Sequence, residues 1–289
     1  MPRVPAKPAE AVNFGHEICN ALNGATSSRW ILRECCYTAA NALICDHMSR
    51  ILVVTAVGPE TRAALGALSQ ASRVRSTQHP CWQGRAGKNH VTLIQAGVGP
   101  EAARLAITAA SAPGDLIVSL GFAGALVPGP APGDFALSGT ILWEEEGRCR
   151  SYEVPKMLLD TIEEALPPEI VLSTLRGTIL SSPVILATPA AKAVAALNYG
   201  AVAVEMEAAA LAEFAIQHDL PLVTLRAILD PVSLSLEGLP KNLDISVAAR
   251  ARLVATPAAW PLLVALRRHA ATAGVTLKKV ARAVLPALK

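Results

Sequence analysis

Val202-Ala203-Val204-Glu205-Met206-Glu207-Ala208, and further on Leu225-Arg226-Ala227-Ile228-Leu229-Asp230 with Pro231 behind it, decide the reading of this chain. Each is an apolar run that stops abruptly in acid. Such a run reads as a buried strand whose carboxyl end opens onto a site, which is where open α/β sheets bind ligands. Glu207 and Asp230 are therefore the first candidates for chemistry. The plainer alternative gives Glu205 and Glu207 to the first turn of a helix, where acids suit the dipole, and makes Asp230 a turn residue before proline.

Working outward, strands and helices alternate. Apolar runs predict strands at Ile51–Val57, His90–Ala96, Leu116–Gly121, Phe135–Trp143, Thr178–Leu180, Gly200–Val204 and Pro221–Ile228. Helical spacing predicts Pro59–Ser72, Pro100–Ser111, Pro155–Leu166, Pro189–Leu197 and Met206–His218. Four of these begin at a proline, whose missing N–H would be unpaired there anyway. The pattern predicts a three-layer αβα fold with helices on both faces of a central sheet.

With 52% hydrophobic residues in 289 the chain can fill a sizeable core, and with aromatics at 4% the filling falls to Ala, Val and Leu. The six cysteines include no C-x-x-C spacing and four of them precede residue 48, so neither a zinc site nor a secreted disulfide framework is indicated. No run of 18 apolar residues and no signal-peptide pattern is present, so a cytoplasmic setting is expected. Residues 1–47 are Pro-rich at the start and lack a clear period. They read as a poorly ordered extension ahead of an initiator-like Met48, with a helical appendage around 29–45 as the alternative.

Residues 48–240 form the expected main domain and 241–289 a basic, amphipathic helical tail, broken near Pro257 and Gly274. The tail holds nine Lys and Arg against Asp244 alone, a balance of +8 in a chain whose total is +3, so the rest carries −5. Trp260-Pro-Leu-Leu-Val-Ala-Leu followed by Arg267-Arg268-His269, and Leu277-Lys278-Lys279-Val-Ala-Arg282, would suit an anionic membrane surface, peripheral at the inner membrane. Packing on the globule with the cations in water is the competing expectation.

Two glycine-rich turns follow strands. Ala96-Gly97-Val98-Gly99-Pro100-Glu101-Ala102 satisfies a dinucleotide-type G-x-G-x-x-A, but the acidic residue that such a site needs after the next strand is missing; Asp115 precedes that strand. The turn instead implies close backbone approach to a ligand or a neighbouring strand. Gly121-Phe122-Ala123-Gly124 and the loop Pro128–Asp134 form the second small-residue connection.

Thr55–Glu60, the Gly97 turn, the Gly-x-Ala-Gly turn before Pro132-Gly133-Asp134, Val204–Glu207 and Arg226–Asp230 occur in the order found in the nucleoside phosphorylase and nucleosidase superfamily, over about residues 51–231. Within it the chain most resembles the hopanoid-associated nucleoside phosphorylases, of adenosylhopane nucleosidase type, since Asp-Pro follows the last strand, a Leu-Pro pair comes soon after, and a basic tail closes the chain. The resemblance implies a mixed sheet of the purine nucleoside phosphorylase type and an enzyme that cleaves N-ribosyl bonds. By it, Glu60 positions attacking water, Glu207 beside Met206 holds the ribose hydroxyls, Asp230 protonates the purine at N7, and the backbone of Val184 and Ile185 pairs with adenine. Phe122 and Gly97 fall among the substrate-binding positions. It also implies a homodimer or larger, no metal or organic cofactor, and no nucleic acid as partner; the substrate is a small-molecule or lipid-linked nucleoside.

These roles make chemical sense. Breaking an N-ribosyl bond leaves an oxocarbenium-like sugar and a poor anionic leaving group, so an acid must neutralise the departing base. Asp230 would have to hold or share a proton, which an apolar pocket involving Ile228 and Leu229 could favour. Three positions depart from the resemblance. Ser119 and Phe122 stand where phosphorylases carry an Arg and a Ser for phosphate, and Leu229 replaces a Ser. Losing a bidentate phosphate grip favours hydrolysis over phosphorolysis. A nucleosidase for methylthioadenosine and adenosylhomocysteine, a purine nucleoside phosphorylase, and a non-catalytic nucleoside sensor are the rival readings.

Overall fold

The computed structural model of the protein describes residues 48–75, 77–110, 114–239 and 256–289. The expected extension 1–47 lies outside them. The elements in chain order are β1 (Arg50–Thr55), α1 (Gly58–Leu65), β2 (Ser69–Val74), β3 (Cys81–Ala86), β4 (Asn89–Gln95), α2 (Pro100–Thr108), β5 (Leu116–Ala125), β6 (Phe135–Leu137), β7 (Thr140–Glu145), β8 (Arg148–Glu153), α3 (Lys156–Ala165), α4 (Pro168–Val171), β9 (Thr174–Arg176), β10 (Thr178–Ser181), α5 (Pro189–Tyr199), β11 (Ala201–Glu205), α6 (Ala208–His218), β12 (Leu222–Asp230) and α7 (Trp260–Val284).

All twelve strands join one mixed sheet. Its main path is β2-β3-β4-β1-β5-β11-β10-β7-β8, while β12 pairs with β5 and β6, and β6 with β9. Two parallel groups meet inside it. β4, β1, β5 and β12 run one way. β11, β10 and β7 form the other group. β11 meets β5 antiparallel through Ala203↔Ala125 and Val204↔Gly124 alone. These are the carboxyl-terminal tips of both strands, so the mouths of the two groups face one another at this seam. The loops that follow these strand ends, from both halves of the sheet, therefore meet at this seam, where open α/β sheets place ligands.

The helices follow the signals expected of them. In α5, the Thr188 hydroxyl accepts the Ala191 N–H at 3.0 Å, Pro189 opens the helix, and Gly200 closes it in the left-handed conformation at φ 60°. Helix α6 buries Ala208, Ala210, Leu211, Ala212 and Ala215, and such small side chains allow close approach to α2 and to the sheet. This is how a chain poor in aromatics still fills its interior.

Three stretches differ from the sequence reading. The helix expected over Pro59–Ser72 ends at Leu65, and Ser69–Val74 is instead the strand β2 at the sheet edge. The run Phe135–Trp143 is two strands, broken at Ser138-Gly139, where the Ser138 hydroxyl bonds the Thr140 backbone. Gly274 does not break the tail, because α7 runs through it in open space, so the glycine costs only its entropic penalty of about 1 kcal/mol. Ala273, Leu277, Val280, Ala281, Val284, Leu285 and Leu288 are all buried in the main core, so the second half of the tail packs on the globule. The end is further tied by Asn89, whose amide donates to the carbonyls of Leu285 (2.9 Å) and Leu288 (2.7 Å) and whose oxygen accepts the Ser49 N–H.

Candidate active site

Glu60 sits in the first turn of α1, directly after β1, and is buried. Its Oε2 accepts the backbone N–H of Ala56 (2.7 Å) and Val57 (3.0 Å), and Oε1 accepts that of Phe122 (2.8 Å). One carboxyl thus ties the β1–α1 turn to the end of β5. Burial raises its pKa, against the lowering effect of the three N–H groups and of nearby Arg226.

The acids at the end of β11 divide their work. Glu205 accepts the N–H of Glu207 and both its oxygens accept that of Ala208, so the role of opening a helix belongs to Glu205. It also meets the Arg226 guanidinium at 2.5 Å. Glu207 points elsewhere. Its Oε1 accepts the N–H of Gly99 at 2.9 Å, across the crevice. Gly97 and Gly99 adopt φ of 103° and 93°, which L side chains avoid, and this turn is what brings that N–H to the carboxyl. The Glu207 pKa is pushed up to about 8, first by burial, then by repulsion from Glu205 and, after the opposing effect of Arg226, from Glu60. Met206 lies between the two acids, partly exposed.

Arg226 comes from the middle of β12 and is only 1% exposed. Besides Glu205, it donates to the Ser119 hydroxyl at 2.6 Å. An arginine inside an otherwise apolar strand needs such partners, because an unpaired buried charge is very costly.

Asp230 ends β12 and is buried. The apolar pocket expected around it is not what it meets: the Lys192 ammonium, on α5, lies 2.6 Å from Oδ2. Lys192 also donates to the carbonyls of Pro231 (3.0 Å) and Leu234 (3.2 Å).

Two glycines of β5 make room for charged side chains by having none of their own. A Cβ on Gly121 would come within 2.8 Å of Arg226 Nη1 and 2.9 Å of Glu60 Oε1, and one on Gly124 within 2.8 Å of Asp230 Oδ2. Three residues apart on an extended strand is about 10 Å. Side chains alternate between the two faces of a strand, so Glu60 and Arg226 lean on one face of β5 and Asp230 on the other. Val184 and Ile185 lie in the loop after β10; the Val184 N–H and C=O both engage the Ser182 hydroxyl. That loop bonds the segment after Asp230, through Leu236 N–H to Ala187 O.

The structure brings Glu60, Glu205 and Glu207 together about Arg226, with Phe122 bonded to Glu60 and the Gly97–Gly99 turn to Glu207, while Asp230 lies beside Lys192 and Val184 and Ile185 are on a loop bonded to the segment beyond it. Sequence reading missed Lys192, Arg226 and the separate role of Glu205. Lys192 is the one charge in the Ala-rich run 189–197, and Arg226 the one charge in 222–229, a signal of pairing that could have been read. Among the described residues, no three His, Cys, Asp or Glu side chains group as a metal site requires.

Known proteins share this architecture. A methylthioadenosine/adenosylhomocysteine nucleosidase from Colwellia psychrerythraea, solved with adenine, superposes with a TM-score of 0.66 at 20% identity, over 84% of this chain and 97% of that one. The corresponding enzyme of Neisseria meningitidis, in complex with methylthio-immucillin-A, gives 0.64 at 18% identity over 83% and 99%. That of Streptococcus pneumoniae, with a transition-state inhibitor, gives 0.62 at 18% over 81% and 99%. Residues 50–257, from the start of β1 to beyond the end of β12, match the Phosphorylase superfamily, and the chain belongs to that family.

Proposed function

We propose that the protein cleaves the N-ribosyl bond of an adenine nucleoside and releases adenine, with water as the nucleophile. What supports the reading is a pair of buried acid clusters at strand ends: Glu60 and Glu207 about Arg226, and Asp230 beside Lys192. In this reading Glu207 accepts the hydroxyls of the ribose, which fixes the sugar's pose. Glu60 orients the water against the anomeric carbon, and Asp230 meets N7 of the base. The Val184–Ile185 loop flanks the base.

Water is favoured over phosphate by charge. Three carboxyl groups surround Arg226, whose Nη2 is bonded to Glu205 and Ser119. A phosphate entering there would find three carboxyl groups around a single cation.

The substrate we favour is adenosylhopane, in hopanoid side-chain biosynthesis. Support comes from the solvent face of α7, where Trp260 (56% exposed) and Val264 (50%) lie beside Arg267 and Arg268, with Lys278 and Lys279 further along. Apolar and cationic residues on one helix face suit an anionic bilayer from which a lipid-linked nucleoside could be drawn. The second reading, a methylthioadenosine/adenosylhomocysteine nucleosidase, is favoured by the fold shared with those enzymes.

Adenine release followed by absorbance, with and without phosphate and across nucleosides differing at the 5′ substituent, tests the proposal. Phosphate-independent release with preference for a large apolar 5′ group is expected. Strict phosphate dependence would overturn the hydrolytic reading, and preference for small thio-substituents would select the second one. In flotation assays the protein should follow anionic rather than neutral vesicles, and equal behaviour on both would remove the membrane surface.

A further inference from the structure

We propose that Lys192 supplies, through Asp230, the proton that the departing purine takes up at N7. The inference rests on the adenine-nucleoside reading above and gives the leaving-group end of that site its source of acid.

Asp230 and Lys192 are both buried, with Nζ 2.6 Å from Oδ2. The Lys192 amine faces three acceptors: Asp230 Oδ2 and the carbonyls of Pro231 and Leu234. An ammonium has three N–H donors and satisfies all three, whereas a neutral amine has two and would leave one bare. The cluster is therefore built for the charged amine, and the aspartate beside it rests as a carboxylate. A carboxylate has no proton to give to a leaving group. The nearest one is on Nζ, already hydrogen-bonded to the carboxylate that faces the crevice.

The step balances as follows. The bond between C1′ and the purine nitrogen breaks with its electron pair moving onto the base. N7 takes a proton from the Asp230 carboxyl as that carboxyl takes one from Nζ. Asp230 ends as it began, Lys192 ends as a neutral amine, and the purine leaves uncharged. Water adds to C1′ and loses one proton, and Lys192 regains one from solvent after the adenine leaves, so the sum is nucleoside plus water to ribosyl product plus adenine. Lys192 does not touch the substrate. It is a positioning and proton-supplying residue acting through Asp230.

Lys192→Arg is the discriminating variant, since a guanidinium keeps the charge and can hold the same acceptors but does not surrender a proton. Adenosine turnover should fall by about 10²-fold or more in kcat with KM within about threefold. Turnover of p-nitrophenyl riboside, whose phenolate departs without a proton, should stay within about threefold of wild type. As a second test, Lys192→Met on an Asp230→Asn background should leave kcat within about twofold of Asp230→Asn alone, because a residue acting through Asp230 has nothing left to act through. K192R with unchanged adenosine turnover, or with equal losses on both substrates, overturns the relay and leaves Lys192 a purely structural anchor. A further loss in the double variant does the same. A wild-type protein that cleaves the nitrophenyl riboside but no adenine nucleoside overturns the adenine reading, and one that cleaves neither overturns the enzyme reading; in both cases the relay falls with it.

Discussion

In one buried cluster Glu60, Glu205 and Glu207 share a single cation, Arg226, while in the other Asp230 has Lys192 to itself. The first cluster is short of positive charge, and burial, aided by repulsion from Glu205 and Glu60, keeps the proton on Glu207 up to about pH 8. The second is balanced and carries a proton donor. In the proposed binding mode the sugar, which becomes cationic, lies over the end that lacks a cation, and the base, which becomes anionic, over the end that can deliver a proton. Fixed groups aimed at charge that develops only during reaction lower the barrier without first binding the substrate more tightly. The difference between the two ends matches the polarity of an N-ribosyl bond as it breaks.

The comparison breaks most sharply at Asp230. Asp230→Asn should lower kcat by about 10²–10⁴-fold with little change in KM, measured by adenine release; near-normal turnover would remove the balanced end from the chemistry. Arg226→Met should next be felt as lost stability, because it leaves Glu205 buried without its counter-charge. A cost of about 3–5 kcal/mol is expected, read by urea unfolding. Gly124→Ala sets a methyl group against Asp230 and should cost about 1–3 kcal/mol, with activity lost beyond what the shift in stability explains.

The smallest effect sharpens the sugar end. If the ribose hydroxyls bind the ionised Glu207, KM should fall roughly tenfold per pH unit as pH approaches about 8 from below, and Glu207→Gln should abolish that dependence. Stability should move the opposite way. A carboxyl whose folded pKa lies above its ordinary 4.5 favours folding while protonated, so its contribution is whole below 4.5 and lost as pH rises through about 8. Thermal melts of Glu207→Gln should therefore be flatter than wild type over that interval.

Sequence periodicity located the strands that carry the site because β1, β4, β5, β11 and β12 are buried runs bounded by glycine or acid. It failed on β2, β3 and β8, whose residues are largely exposed or polar and lack an apolar rhythm. β9 was too short to register, with three residues. Glu207 and Asp230 stood out as acids ending apolar runs, whereas Glu60 was singled out only through the resemblance to the superfamily. The cations were not, since nothing local says that Lys192 on α5 crosses to β12, or that Arg226 reaches β11. Such pairings depend on the seam between the two parallel groups, and only the folded sheet reveals it. The glycines of β5 were read as a turn. Their real service is space for Glu60, Arg226 and Asp230.

The clasp of Asn89 on Leu285 and Leu288 makes the last residues of the chain part of its foundation. Both leucines are fully enclosed, and the amide that holds them also receives the N–H of Ser49, ahead of β1. The two extremities of the globule are thus fastened at one knot, on the β1–β4 side of the sheet. Trimming the final handful of residues would strip the amide that anchors the start of β1 and β4 of two of its partners.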